Sequence, residues 1–199
     1  GDNTGVGYAD GSFGSGGTQR VWFDAGGNNR DYATAVVAIG GPDGLNSTDL
    51  VYVVGQVAQT CSPGIGIAAF NHNGTPAAAF GTGGKLRFGG TDIACSGSLL
   101  KPGHFAHAAV QTLGRSLVIA GMATRRPICV PPGGCEDEVD PMLAVVRMSD
   151  GAVQELRNFP VQPGNRVRHG AFYGIVASGT GMFTATGDDR YFATHPNFP

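Results

Sequence analysis

The chain has 199 residues, of which 34 are glycine and 12 are proline, and its formal net charge is −2. The 13 basic residues are scattered along the sequence, which excludes the basic stripe that a nucleic-acid-binding protein needs. No apolar run approaches the length of a membrane span, and the chain length suits one large or two small domains.

Short apolar runs separated by glycine-rich turns predict strands along the whole chain and almost no helix. The predicted strands form three consecutive sets of four. The first set is 19–24, 32–39, 50–58 and 64–71; the second is 85–88, 105–112, 116–123 and 142–148; the third is 152–159, 168–176, 181–187 and 190–195. We interpret residues 1–199 as a single repeat domain with units of about 8–73, 74–150 and 151–199.

The strongest evidence for a repeat is a glycine that follows a similar strand-like run in each unit. Gly55, Gly121 and Gly187 recur at intervals of 66 residues. An Asx-Gly pair, which suits turn positions with positive φ, also recurs as Asp10-Gly11, Asn73-Gly74 and Asp150-Gly151. Each unit is then one supersecondary element that cannot bury its apolar face alone.

Small residues repeat in the second predicted strand of each unit, which favours one all-β architecture. They are Ala33, Ala35, Ala106, Ala108, Ala109 and Ala171. Small side chains are needed where the blades of a β-propeller crowd around the central axis. We therefore predict an all-β, β-propeller-like fold with about three four-stranded antiparallel blades. A two-sheet sandwich or a β-solenoid is the alternative.

Two junctions carry a family-like pattern. Residues 10–17 are Asp-Gly-Ser-Phe-Gly-Ser-Gly-Gly, and residues 73–84 are Asn-Gly-Thr-Pro-Ala-Ala-Ala-Phe-Gly-Thr-Gly-Gly. This pattern resembles the delta-60 repeat of bacterial secreted and surface proteins, and the resemblance implies a β-propeller-like fold. The third junction, after Asp150-Gly151, lacks Phe-Gly-x-Gly-Gly. The family carries no established common activity that could be transferred.

The four cysteines, Cys61, Cys95, Cys129 and Cys135, lie in loop-like sequence and form no Cys-x-x-Cys pair. This pattern favours two disulfides over a structural zinc site. Disulfides in turn indicate a secreted protein, in an extracellular or periplasmic location at the cell surface. In a propeller, the loops of Cys61 and Cys95 would meet between neighbouring blades. We therefore predict a Cys61–Cys95 bridge, and a Cys129–Cys135 bridge within one loop.

Three units are too few to close a propeller ring, and this indicates assembly. One further outer strand, without a blade of its own, is predicted at Thr4, Gly5, Val6, Gly7, Tyr8 and Ala9. An open edge strand invites pairing, either with the third unit or with a second copy of the chain. The expected products are a dimeric six-bladed ring or a head-to-tail filament. The alternative is that the chain is a segment of a longer propeller.

Residues that carry chemistry are sparse. Gly64–Ala69 matches Gly-x-Gly-x-x-Ala, but the motif begins a predicted strand and not a strand-to-helix turn. His104 and His107, with His169 in the third unit, could ligate a metal, but a spacing of three puts strand side chains on opposite faces. Acidic residues at Glu136, Asp137, Glu138 and Asp140 are better explained by solvation or by pairing with Arg125 and Arg126 than by Ca²⁺ binding.

The predicted function is that of a secreted, non-catalytic extracellular structural or adhesive subunit that self-assembles, without metal or cofactor. The alternative is a carbohydrate- or protein-binding module, with a glycan or a surface protein as partner. Sugar stacking would need exposed aromatic residues among Trp22, Phe23, Tyr32, Tyr52, Phe172 and Tyr173, which otherwise belong to the core. A third possibility is a hydrolase or lyase with its site on the propeller axis, but the repeats supply no matching carboxylates or histidines.

Overall fold

A computed structural model describes residues 11–23, 31–39, 50–57, 62–90, 103–112, 115–124, 139–159, 170–178 and 182–187, and the backbone of 128–129, 135–136 and 192–195. All regular elements in these ranges are strands, and every ladder between them is antiparallel, which confirms the all-β prediction. The strands are β1 (Tyr32–Ala38), β2 (Leu50–Val57), β3 (Gly64–Asn71), β4 (Lys85–Phe88), β5 (His104–Gln111), β6 (Ser116–Thr124), β7 (Ile128–Cys129), β8 (Cys135–Glu136), β9 (Val139–Arg147), β10 (Val153–Asn158), β11 (Phe172–Ala177), β12 (Phe183–Gly187) and β13 (Phe192–His195).

The described strands form three sheets and one small ribbon. The first sheet has the order β1-β2-β3-β4, the second β10-β9-β6-β5 and the third β11-β12-β13, while β7 and β8 form a hairpin between β6 and β9. Each sheet is a meander, in which successive strands of that sheet pair with each other, and the β7–β8 hairpin is inserted in the connection from β6 to β9. This is the connection expected for short strands joined by tight turns.

Sheet membership differs from the prediction at two strands. The sequence pattern assigns residues 85–88 and 152–159 to the units that follow them, but β4 pairs with β3 and β10 pairs with β9. At β4 the reason is the preceding loop, which reverses the chain so that Gly84 O accepts from Ala69 N at 2.8 Å. At β10 it is the turn after β9, in which Ala152 O accepts from Arg147 N at 2.9 Å. A further correction concerns residues 19–23, which form no strand.

The repeated glycines occupy the same place in all three sheets. Each glycine lies opposite the start of a β-bulge in the first strand of its sheet. The pairs are Ala33↔Gly55, Ala106↔Gly121 and Phe172↔Gly187. A Cβ added to Gly55, Gly121 or Gly187 would lie 1.9, 1.8 or 1.7 Å from a backbone carbonyl oxygen at the bulge. The bulge approaches so closely that only glycine fits, so the repeat is structural.

The sheets pack face to face. Val54 and Ile67 of the first sheet share one buried cluster with Ile119 of the second. Residues on the opposite face of the second sheet, including Val145, share another cluster with Phe183 of the third. The second sheet is therefore buried on both faces, with alternate residues of β6 and β9 pointing to different neighbours. We call the face toward the following sheet the front face and the opposite one the back face.

Two Phe-Gly-x-Gly-Gly loops, Phe13–Gly17 and Phe80–Gly84, have the same hydrogen-bonded form. In each loop the last glycine N–H donates to the phenylalanine carbonyl at 3.0 Å. The first glycine of each loop has positive φ, 60° at Gly14 and 55° at Gly81, and its N–H donates to an Asx carbonyl farther along the chain. These contacts are Gly14 N to Asn73 O at 2.8 Å and Gly81 N to Asp150 O at 2.9 Å. Each loop thus holds the Asx-Gly turn of the next repeat.

Candidate functional site

Titratable side chains in the described ranges are dispersed, and no group of three His, Cys, Asp or Glu side chains there could hold a metal ion. His104 bonds through Nδ1 to the Gly89 carbonyl. His107 lies in the bulge of β5, with its ring 4.9 Å from that of Tyr173. The two histidines therefore have different surroundings, and His169 lies outside the described residues.

Burial lowers the pKa of both His104 and His107 below the ordinary value for histidine. At His107 the Nε2 atom is buried and has no hydrogen-bond partner among the described residues. Protonation would place a charge between the second and third sheets, where nothing described compensates it. The neutral ring is therefore the form that the fold accepts.

We expect acid to destabilise the protein through His107. Because folding lowers this pKa, the stabilisation is present above the unfolded value of about 6.5 and is lost as pH falls through the folded value. His107→Phe keeps the ring against Tyr173 but cannot be protonated. The loss of urea-unfolding free energy between pH 7.5 and pH 5 should be smaller in this variant than in the wild type. Equal losses would show that His107 does not titrate with unfolding.

The back face of the first sheet differs from the back face of the second sheet in its burial. Val36 on this face is 64% exposed. In the second sheet the residue that corresponds to Val36 is Ala109. Ala109 and its cross-strand partner Ile119 pack into the cluster shared with the first sheet. The same position is therefore buried in the core in the second sheet and exposed to solvent in the first sheet. We call this surface the open back face.

Part of the open back face is covered by the segment of residues 18–23. Phe23 lies against Gly66, where an added Cβ would come within 3.2 Å of its ring. The segment is held by the Phe23 N–H, which donates to the Asp31 carboxylate at 3.1 Å, and by Lys85 Nζ, which donates to Trp22 O at 2.7 Å. The segment therefore covers the face without joining its sheet.

The glycine under Phe23 has no counterpart in the second sheet. Gly66 pairs with Gly55, and the equivalent partner of Gly121 in the second sheet is Met142. Met142 is fully buried between the sheets. Without such a side chain at residue 66, the face is hollow, and the Phe23 ring fills only part of the space.

A cavity of about 210 Å³ remains between the covering segment and the open back face. Its lining is mainly apolar, with Gln19, Asp31 and Gln56 as the polar members. The apolar part includes Val21, Phe23, Tyr32, Val53, Ala68 and Phe70. At the junction of the first and second sheets, the equivalent surface receives the aliphatic side chains of Val54 and Ile67. The cavity therefore has the character of an acceptor for apolar side chains.

The front face of the third sheet is the second open surface. Val176 on this face is 64% exposed. Thr184 and Thr186 take the positions that Tyr52 and Val54 take in the first sheet. This front face thus has smaller and more polar side chains than the two that are buried, with Val176 as its exposed apolar residue.

The aromatic residues divide between the core and the surface. Trp22, Tyr32 and Tyr173 are 57%, 53% and 51% exposed. Tyr52 and Phe172 are each 1% exposed and belong to the core. The carbohydrate alternative therefore retains Trp22 and Tyr32, which lie on or beside the covering segment, and Tyr173 on the third sheet.

The residues predicted to mediate assembly or to form disulfides are only partly described. The predicted assembly strand, Thr4–Ala9, and both Cys61 and Cys95 lie outside the described residues. Cys129 and Cys135 are opposite each other in the β7–β8 ladder. Of the acidic cluster, Asp140 is fully buried in β9.

Sequence reasoning missed the open back face. The signal that could have found it is the spacing to the repeated glycines. Val53 precedes Gly55 by the same two residues by which Ile119 precedes Gly121. In this alignment Val53, which lies on the open back face, corresponds to Ile119, which is buried in the core.

Comparison of the chain with protein-family models, with curated proteins and with solved structures found no significant match. Within the described ranges, none of the elements is a helix with the length and apolar character needed to cross a membrane.

Proposed function

We propose that the protein is a secreted, non-catalytic, β-propeller-like scaffold that acts as an extracellular structural or adhesive subunit by self-assembly. The observation that carries the proposal is the open back face. Its equivalents on the second and third sheets are each covered by the front face of the preceding sheet. A second copy of the chain offers such a front face on its third sheet. Head-to-tail stacking would repeat between copies the contact that the chain makes twice within itself.

Each of the two open faces presents an exposed apolar residue, which supports this direction of contact. The open back face presents Val36 and the apolar cavity, and the opposing front face presents Val176. Burying apolar surface of this kind contributes about 25 cal/mol per Å². Two such contacts between two copies would close a six-sheet ring, and single contacts in series would form a filament. In the propeller-like arrangement that we propose, the three sheets correspond to about three blades.

The proposal also retains the predicted edge strand and disulfides. Thr4–Ala9 would add a strand at a sheet edge next to the stacked faces. The Cys61–Cys95 and Cys129–Cys135 bridges would stiffen the scaffold outside the cell. Directly opposite residues in an antiparallel ladder have Cα atoms about 4.5–5.5 Å apart, which is within the range that a disulfide spans. The β7–β8 register of Cys129 and Cys135 therefore supports the second bridge.

The proposal predicts that a charge on the open back face abolishes association. Val36→Lys places an ammonium group on a side-chain position that is already 64% exposed, so the fold should tolerate it. In sedimentation velocity over a hundredfold concentration range, the wild type should shift to larger species. Val36→Lys should remain monomeric, with an association constant at least about tenfold lower, which corresponds to about 1.4 kcal/mol.

Leu156→Lys is the matched control. Leu156 is 39% exposed on β10, at the outer edge of the second sheet and away from both open faces. This variant should associate like the wild type. A wild type that is monomeric at all concentrations would contradict self-assembly. A monomer that binds glycans through Trp22 and Tyr32 would instead support the carbohydrate-binding alternative.

A further inference from the structure

The third sheet contains one strand fewer than the other two within the described part of the chain. Its order, β11-β12-β13, corresponds to β1-β2-β3 of the first sheet, and the described strands supply no equivalent of β4. β13 pairs with β12 on one side only among the described residues. The hydrogen-bonding groups of its other edge are therefore a template for a further strand.

Residues 18–21 are a segment that is placed like a fourth strand but belongs to no described sheet. It follows the loop Phe13–Gly17 as β4 follows the loop Phe80–Gly84, and the bridges of Thr18 to Gly14 and Ser15 match those of Lys85 to Gly81 and Thr82. Residues 18–21 thus take the chain position of a fourth strand. Unlike β4, they form no ladder with any described strand.

We propose that residues 18–21 of one copy add to the edge of β13 opposite β12 in a second copy, an edge that no described strand occupies, and complete its third sheet. This inference rests on the proposed self-assembly and specifies its contact. The edge addition and the face stacking are compatible, because residues 18–21 already lie over the open back face. The third sheet of the second copy would then turn its front face toward the cavity of the first copy. The front face of the first sheet packs on the second sheet in the same way.

The first sheet defines the expected register. Val53 pairs with Ala68, and Ala68 pairs with Lys85. The third-sheet equivalent of Val53 is Ala185, which pairs with Ala193. Since Thr18 corresponds to Lys85, the composite sheet pairs Thr18 of one copy with Ala193 of the other.

The register predicts a specific cross-link. In the first sheet the Ala69 N–H donates to Gly84 O, so Ala68 and Lys85 form the non-hydrogen-bonded kind of pair. In such a pair the Cα atoms are about 4.5 Å apart, which a disulfide can span. The Thr18→Cys and Ala193→Cys variants, purified separately and mixed under mild oxidation, should form a covalent dimer on a non-reducing gel. Either variant alone should not.

Thr194→Cys is the register control, because residue 194 is one position out of register with Ala193 on β13, and successive strand residues alternate between the two faces of a sheet. A mixture of Thr18→Cys and Thr194→Cys should give at least about tenfold less dimer. Equal yields from the two mixtures, or no dimer from Thr18→Cys with Ala193→Cys, would overturn the composite sheet. If sedimentation still showed association, only this inference would fall; a strictly monomeric wild type would remove the proposed function as well.

Discussion

Gly121→Ala is expected to destabilise the protein by more than about 4 kcal/mol, which is an exceptional cost for a single methyl group. The added Cβ would lie 1.8 Å from the Phe105 carbonyl oxygen and 3.2 Å from Ala106 Cα. Neither group can move away cheaply, because both belong to the bulged strand of the sheet that is buried on both faces. The bulge must open and disturb both cores.

Gly83→Ala is the matched control for this substitution. Gly83 has a φ of 61°, but a Cβ added there would have no atom within 4 Å, and the residue is exposed. Its cost should be the conformational penalty alone, about 1–2 kcal/mol. Urea-unfolding free energies of the two variants measure the difference. Similar losses would show that the bulge does not press on Gly121 in the folded protein.

Phe80→Ala is expected to cost about 3–5 kcal/mol, the usual range for removing a buried aromatic side chain. Phe80 is 1% exposed, and its ring meets that of Tyr52 edge to face at 5.4 Å. The Tyr52 hydroxyl in turn donates to the Met148 carbonyl at 2.8 Å, which connects the first sheet to the residue that follows β9. The substitution leaves a cavity beside this buried hydrogen bond.

The equivalent residue in the other loop, Phe13, provides the control. Phe13 has the same place in Phe-Gly-x-Gly-Gly but is half-buried, and its ring contacts Phe70 edge to face with centroids 6.1 Å apart. Phe13→Ala should cost about 1 kcal/mol. Thermal and urea unfolding of both variants would test this contrast. Losses of equal size would indicate that the two loops lie against surfaces of equal burial.

The Tyr52 hydroxyl makes the stability of the fold depend on pH. Burial raises the pKa of its hydroxyl to about 12. Because the folded value exceeds the unfolded value of about 10, the neutral hydroxyl stabilises the fold below pH 10, and this stabilisation is lost as pH rises through the folded value. We therefore expect strong alkali to weaken the contact between the first and second sheets.

The strands and the repeat could be predicted from the sequence because their signals are local. Strand-length runs precede Gly55, Gly121 and Gly187, and the structure gives these glycines one common role. Sheet membership could not be predicted in the same way. A loop such as Phe80–Gly84 serves equally well as a reversal or as a passage to the next sheet, and only the Ala69–Gly84 hydrogen bond decides.

The open back face could not be predicted because it depends on non-local packing. The cavity exists because Gly66 stands where Met142 stands in the second sheet and because Phe23 lies over it from outside the sheet. Neither residue signals this alone. The assembly strand, Thr4–Ala9, is inferred from its position before Asp10-Gly11, and it remains a prediction.

Electron microscopy of the assembled protein tests the central claim most directly, namely that the sheet-on-sheet contact within the chain recurs between chains. We expect rings or filaments in which sheets continue across the boundary between copies at the usual separation of about 10 Å. The third sheet of one copy should face the first sheet of the next. Copies that meet through any other surface, or images that show only separate monomers at high concentration, would contradict it.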